Sequence, residues 1–176
     1  MIVVGKKPDG GPKGPASLRR EMPEILENAD EDLEQIASSD EAYARLQQIP
    51  GVGPVVATAV VSAIGNGAAF HKGREFSTWL GLVPGQWSTG GKTKLLGISK
   101  RGNPYLRKMF IHGARAVVLR GKREGSYLGQ WMKGLETRAA RNVVMVATAN
   151  KLARISWAVL SSGENYHPMP ALAVAS

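Results

Sequence analysis

The chain has 176 residues, enough for one domain with a hydrophobic core, and its 43% hydrophobic and 21% charged residues are typical of a folded, water-soluble protein. It contains no cysteine, which excludes disulfides, thiolate metal sites and cysteine nucleophiles. We find no apolar run of the length that a membrane helix or a signal peptide needs, so we expect a cytoplasmic protein with no membrane partner.

Positive charge is concentrated after residue 50. Residues 1–50 carry six Lys and Arg against ten Asp and Glu, whereas residues 51–176 carry seventeen against four, a net charge of +13. This excess indicates a polyanionic partner, and nucleic acid fits best; the alternative is a basic surface that only keeps the protein in solution. The four glutamates after residue 50 are not spaced like a metal site, so we predict no metal centre in this chain.

The first 42 residues differ in composition from the rest. Residues 1–17 are rich in Gly, Pro and Lys and show no period, which predicts a flexible lead-in. Residues 18–42 are acidic, and Leu26, Leu33 and Ile36 recur at helical intervals, which predicts an acidic helical connector. Asp40 is the expected N-cap of the next helix.

Residues 46–65, LQQIPGVGPVVATAVVSAIG, predict two helices joined by a tight turn, with Pro54 in the first turn of the second helix. The pattern is typical of a helix-hairpin-helix DNA-binding motif, in which glycines bring the backbone close to a phosphate. Gly51, Val52 and Gly53 are therefore candidate DNA-binding residues. The alternative is a Pro-Gly turn between packed helices that binds no ligand.

A short helix is expected over residues 73–81, with Phe76, Trp79 and Leu80 facing inward. Residues 81–108 then hold six glycines and two prolines, which predicts a long Gly-rich basic loop with at most one hairpin near residues 93–98. Its hydroxyls and cations are candidates for phosphate contacts: Ser88, Thr89, Lys92, Lys94, Lys100, Arg101 and Arg107.

Three further helices complete a mainly α-helical domain over residues 43–162. The first begins at Asn103 or Pro104. A basic residue recurs every seven positions, at Arg101, Lys108, Arg115 and Lys122. This spacing predicts a basic helix face that follows a phosphate backbone; the alternative is a face that is only solvated. A short helix is expected over residues 126–135. A long helix is expected over residues 138–161, and its predicted inward residues are Val143, Val146, Ala147, Leu152 and Ile155. Residues 163–176 are expected to form a loose tail.

Residues 43–160 resemble the C-terminal domain of transposases of the insertion-sequence-110 and insertion-sequence-1111 type. The segments that carry the resemblance are IPGVG, GLVP, STGGK and ISKRGNPYLR. Members of that family look like two-part recombinases: an N-terminal ribonuclease-H-like domain supplies acidic residues for Mg²⁺, and the C-terminal domain supplies a serine that attacks DNA. The resemblance implies Ser88 as this nucleophile, with Thr89 as the alternative.

The resemblance also implies partners. Members act on element ends and target DNA as oligomers, and some use a guide RNA, which Trp87, Tyr105 and Trp131 could stack on. Because this chain has no room for the acidic domain, we expect a truncated transposase that associates with a copy bearing that domain, or with itself, near the nucleoid. We expect it to hold no cofactor of its own. The alternative functions are a non-enzymatic helix-hairpin-helix module and a guide-RNA-binding domain.

Overall fold

Six α-helices and one β-hairpin make up the computed structural model, which describes residues 40–89, 92–121 and 125–170. The mainly α-helical prediction is confirmed, whereas the lead-in and all but the last three residues of the predicted connector lie outside the described residues. The elements in chain order are α1 (Glu41–Gln47), α2 (Pro54–Ile64), α3 (Gly73–Trp79), β1 (Pro84–Thr89), β2 (Lys92–Ile98), α4 (Pro104–Arg120), α5 (Tyr127–Glu136) and α6 (Arg141–Ser162).

Side-chain caps and prolines set most of the helix starts. Asp40 caps α1 by accepting a 2.8 Å hydrogen bond from the Ala42 N–H, and Asn103 and Ser126 cap α4 and α5 in the same way. Pro54 opens α2 and Pro104 opens α4, at positions where a missing N–H costs nothing. These starts agree with the sequence to within one residue.

Helix α6 forms the centre of the core. It packs against α1, α3, α4 and α5, and eight of its residues are buried. Among the described helices, α6 is the one that is long and apolar enough to cross a membrane by length and composition; its packing explains the same composition by burial. The largest fully buried side chains include Leu152 of α6 and, around it, Leu46, Phe76, Phe110 and Met132.

Two inward-facing predictions are wrong. Trp79 is 37% exposed, although Phe76 and Leu80 are buried as expected. Val143 is 55% exposed, and its neighbour Val144 is buried in its place. Helix α6 is rich in Ala and Val on every side, so its sequence lacks the polar stripe that would fix which face is buried.

The Gly-rich segment is a second correction, because most of it forms an antiparallel hairpin rather than one long loop. Trp87 pairs with Lys94, Ser88 with Thr93, and Thr89 with Lys92. A hairpin is expected near residues 93–98; these residues belong to the single strand β2, and β1 is its partner. Glycine pairs favour two-residue hairpin connections, and the sequence places Gly-Gly between the two strands; these two glycines lie outside the described residues.

Residues 163–170, expected to be loose, are bound to the domain. The Gln48 side chain donates to Asn165 Oδ1 (3.2 Å) and accepts from the Tyr166 N–H (3.2 Å). The Tyr127 N–H donates to the Met169 carbonyl at 2.9 Å. This part of the tail therefore connects the C-terminal end of α1 to the start of α5, while residues 171–176 lie outside the described residues.

Candidate nucleic-acid interface

The turn between α1 and α2 packs directly on α4. Gly51 has φ +81°, and a Cβ there would lie 2.7 Å from both the Gly113 carbonyl oxygen and Val117 Cγ2. A side chain at Gly113 would in turn collide with the Gly51 carbonyl oxygen. Both positions therefore need glycine for backbone-to-backbone contact, which explains Gly51 without a ligand. Its predicted DNA contact stays a prediction.

The other two residues of the predicted motif have different surroundings. Val52 is 3% exposed and its N–H donates to the Ile49 carbonyl at 3.0 Å, so these observations do not support the predicted DNA contact of Val52, which stays a prediction. Gly53 is exposed, and a Cβ added there would meet no other atom within 4 Å. Of the three, Gly53 is the residue that a phosphate could approach.

The start of α2 offers hydrogen-bond donors at that point. Gly53 is the N-cap and supplies no side-chain bond, and Pro54 has no N–H. The N–H groups of Val55 and Val56 belong to the first turn, where a helix provides no internal partner. Together with the positive end of the helix dipole, they suit an anion.

Exposed cations follow one face of α4. Lys108 and Arg115 lie two turns apart, and both are exposed, as are Tyr105 and His112 on the same stripe. Arg101 is exposed just before the helix. Within the part of the chain that the structure describes, Lys108, Arg115 and Arg101 form no ion pair. Lys122, predicted as the fourth member of this row, lies outside the described residues.

The segments before β1 and after β2 are hydrogen-bonded to each other, which fixes Lys100 and Arg101. The Lys100 N–H donates to the Gly81 carbonyl (3.2 Å) and the Asn103 N–H to the Trp79 carbonyl (3.3 Å). Gly102 has φ +99°, and a Cβ there would collide with the Trp79 carbonyl oxygen. This junction places the exposed Lys100 and Arg101 side by side at the entrance to α4.

Arg107, another predicted DNA contact, is partly engaged inside the protein. It is half-buried, and its Nη1 donates to the Leu80 carbonyl oxygen at 3.1 Å. The guanidinium thus ties α4 to the end of α3. Its other guanidinium N–H groups leave the predicted phosphate contact as a prediction.

Ser88, Thr89, Lys92 and Lys94 are described by their strand positions. Ser88 and Thr89 are the last residues of β1, and Lys92 is the first residue of β2 and pairs with Thr89. The predicted hydroxyl and cation candidates are therefore neighbours at the same end of the hairpin. Their roles stay predictions.

Sequence reasoning missed an apolar groove of about 980 Å³ between α3, the hairpin and α6. Leu96 and Val143 line it and are 48% and 55% exposed. Lys151 also lines it, with its Nζ 4.6 Å from the Tyr127 ring centroid and 4.4 Å from that of Trp131. Burial lowers the pKa of Lys151, and the nearby Arg154 lowers it further. The sequence feature that could have indicated the groove is the helical spacing of its α6 residues, which are Val143, Val146, Ala147, Asn150 and Arg154.

Across residues 40–89, 92–121 and 125–170, no three His, Asp or Glu side chains lie together as metal ligands would. Hard divalent ions need several such oxygen ligands. The described residues therefore do not fit Mg²⁺, and we derive no chemical step through a metal. The Mg²⁺ that the resemblance implies stays a prediction for the acidic domain.

The family model described as Transposase IS116/IS110/IS902 matches residues 43–128, which include the turn, the hairpin and α4. Residues 43–128 are a domain of this transposase family. The resemblance seen in the sequence is thereby confirmed. The match begins in α1 and ends in α5, so the transposase domain contains every predicted DNA contact and both candidate nucleophiles.

Curated relatives of the transposase domain extend the similarity to most of the chain. A probable family 20 transposase of Pseudomonas aeruginosa is 41% identical over 94% of this chain and 51% of its own length. The transposase of insertion sequence element IS1111A from Coxiella burnetii is 43% identical over 81% of this chain and 39% of its own length. The transposase of insertion sequence element IS1328 from Yersinia enterocolitica is 41% identical over 80% of this chain and 42% of its own length. The chain spans about half the length, or less, of these relatives.

Proposed function

We propose that this chain is the DNA-binding part of a transposase and acts in DNA transposition in the cytoplasm. The observation that carries the proposal is the exposed cationic face of α4, formed by Lys108 and Arg115 and continued by Arg101, none of which forms an ion pair with a described residue. The close contact between Gly51 and Gly113 holds this helix against the turn that precedes α2. Lys108 and Arg115 are five and two residues from Gly113 along α4, which is roughly 140° and 160° around the helix. The cations and the helix N–H groups are therefore held in one unit, on different sides of α4.

Contacts of this kind bind DNA through its phosphates. When Lys and Arg side chains and helix N-termini contact phosphates, they position a protein on a duplex but read no bases. Sequence choice would then come from another part of the complex, and guide RNA and a partner transposase bearing the acidic domain are our candidates. We also propose that the chain works as an oligomer.

Neutralising the α4 face should weaken DNA binding and make it less sensitive to salt. Each phosphate contact on duplex DNA contributes about −0.9 to the slope of log K against log salt concentration. We expect Lys108→Gln with Arg115→Gln to reduce the magnitude of the slope by about 2, as measured by fluorescence anisotropy over a salt series.

Lys133→Gln with Arg138→Gln is the matched control, because both residues are exposed and the net charge changes equally. This second double variant should leave the slope nearly unchanged. Equal slopes in the two double variants would show that net charge, rather than the α4 face, attracts the DNA.

The second part of the proposal is that Ser88 attacks a DNA phosphate. The serine oxygen forms a bond to phosphorus, the bond from phosphorus to a deoxyribose oxygen breaks, the hydroxyl proton is released and the leaving oxygen takes up a proton. Lys92 and Lys94 are proposed to stabilise the negative charge of the phosphorane. The family membership and the position of Ser88 at the end of β1 support this assignment.

The alternative is that the chain binds DNA without cutting it. The features at Gly53, Lys108 and Arg115 require no hydroxyl, so they support binding equally well in both cases. Loss of adduct formation in a Ser88 variant distinguishes the two.

A further inference from the structure

The apolar groove between α3, the hairpin and α6 is open along one side. Leu96 lines it from β2 and Val143 from α6, and about half of each side chain is exposed. Exposed apolar patches of this kind normally mark a surface that binds another element or partner. Duplex DNA is a poor occupant for a floor of aliphatic side chains, since it presents phosphates rather than apolar surface.

The groove is also cationic. Arg74, Lys100, Lys151 and Arg154 line it, and no Asp or Glu is among its lining residues in the described part of the chain. None of the four forms an ion pair with a described residue. An occupant that fits therefore has an apolar face for the floor and acidic groups for these cations.

The chain itself contains a segment with these properties. Residues 21–34 hold seven Asp and Glu and no Lys or Arg. Leu26, Leu33 and Ile36 recur at helical intervals and predict an apolar face on the same segment. A helix over residues 24–37 would be roughly 21 Å long, and the α6 wall from Val143 to Ala158 extends over about 22 Å.

Two residues separate the segment 24–37 from the start of the described chain. The described chain starts at Asp40, and α1, which it caps, packs against α6. The Arg45 side chain lies near Gly163, at the end of the same helix that forms the groove wall. A tethered segment has a high effective concentration at such a site, which favours the chain's own segment over that of a second copy.

We propose that residues 24–37 occupy the groove of their own chain, with Leu26, Leu33 and Ile36 on its apolar floor. The acidic side chains of the segment then pair with Arg74, Lys100, Lys151 and Arg154. This intramolecular contact is independent of the proposed role in DNA transposition. It covers the exposed apolar surface and compensates the charge of the groove.

Disulfide trapping in the full chain tests the proposal, because the natural sequence has no cysteine. Four double variants place one cysteine on the segment, Leu26→Cys or Leu33→Cys, and one in the groove, Leu96→Cys or Val143→Cys. The matched control joins each segment cysteine to Leu119→Cys, an exposed position on α4 that does not line the groove.

Under mild oxidation, we expect at least one groove pair to form a disulfide at least tenfold faster than the control pairs. The product should have the mass of a monomer, and high salt should slow its formation. Rates equal to those of the controls for all four pairs would overturn the proposal. Crosslinks at the mass of a dimer would assign the groove to a second copy. If duplex DNA protected Val143→Cys from a maleimide and no pair formed crosslinks faster than the controls, the groove would be assigned to nucleic acid.

Discussion

Replacing Ser88 with alanine should abolish covalent DNA–protein adducts and leave DNA affinity nearly unchanged. The substitution removes the proposed nucleophile and no charge, so binding through Lys108 and Arg115 should persist. We expect adduct formation to fall by on the order of a thousandfold or more, as is usual when a covalent nucleophile is lost. The measurement is a denaturing gel of purified protein with terminal-repeat DNA, with and without the acidic domain and Mg²⁺.

Thr89→Ala is the matched control, because Thr89 is the adjacent hydroxyl at the same end of β1. It should retain adduct formation. Adducts that persist in the Ser88 variant and disappear in the Thr89 variant would transfer the role to Thr89. Adducts that persist in the double variant would rule out both hydroxyls.

Replacing Gly51 with valine should destabilise the protein far more than the same change at Gly53. At Gly51, the positive φ disfavours any side chain by about 1–2 kcal/mol, and collisions with the Gly113 carbonyl oxygen and Val117 add a packing cost of about 1–3 kcal/mol. We expect the free energy of unfolding to fall by about 3 kcal/mol, as measured by urea denaturation.

Gly53→Val should cost under about 1 kcal/mol, because the backbone there has φ −85° and the space around it is open. Its expected effect is on binding, since a valine side chain would keep a phosphate away from the N–H groups of Val55 and Val56. We expect DNA affinity to fall several-fold in an anisotropy titration. Equal stability losses at both positions, or undiminished DNA binding by Gly53→Val, would contradict these roles.

The helix starts could be predicted because they depend on local chemistry. Asp40, Asn103 and Ser126 accept N-cap hydrogen bonds, and Pro54 lies in the first turn, the part of a helix that accommodates proline. A few consecutive residues therefore determine each start. The hairpin was mostly missed because the high glycine content of residues 81–108 favours the prediction of a loop. It does not reveal strands whose pairing depends on Trp87, Ser88 and their partners across the turn.

The candidate site was predicted in its residue types but not in its arrangement. Gly51 and Gly53 look equivalent in the sequence, and only the packing on Gly113 separates a glycine required by the fold from one open to a ligand. Arg107 and Lys108 are adjacent basic residues that the sequence does not distinguish. Only the fold brings Arg107 to the Leu80 carbonyl, which is 27 residues away along the chain. The groove was missed for the same reason, since elements that are distant along the chain form it.

The most direct test of DNA binding by the turn and α4 is the amide spectrum of isotope-labelled protein during titration with a short DNA duplex. We expect the largest shifts at Gly53, Val55 and Val56 and along the exposed face of α4 at Lys108 and Arg115, with the bound tail at residues 163–170 nearly unchanged. Shifts confined to α5 and that tail, with the amides of Gly53 to Val56 and of α4 unaffected, would contradict DNA binding by the turn and by α4.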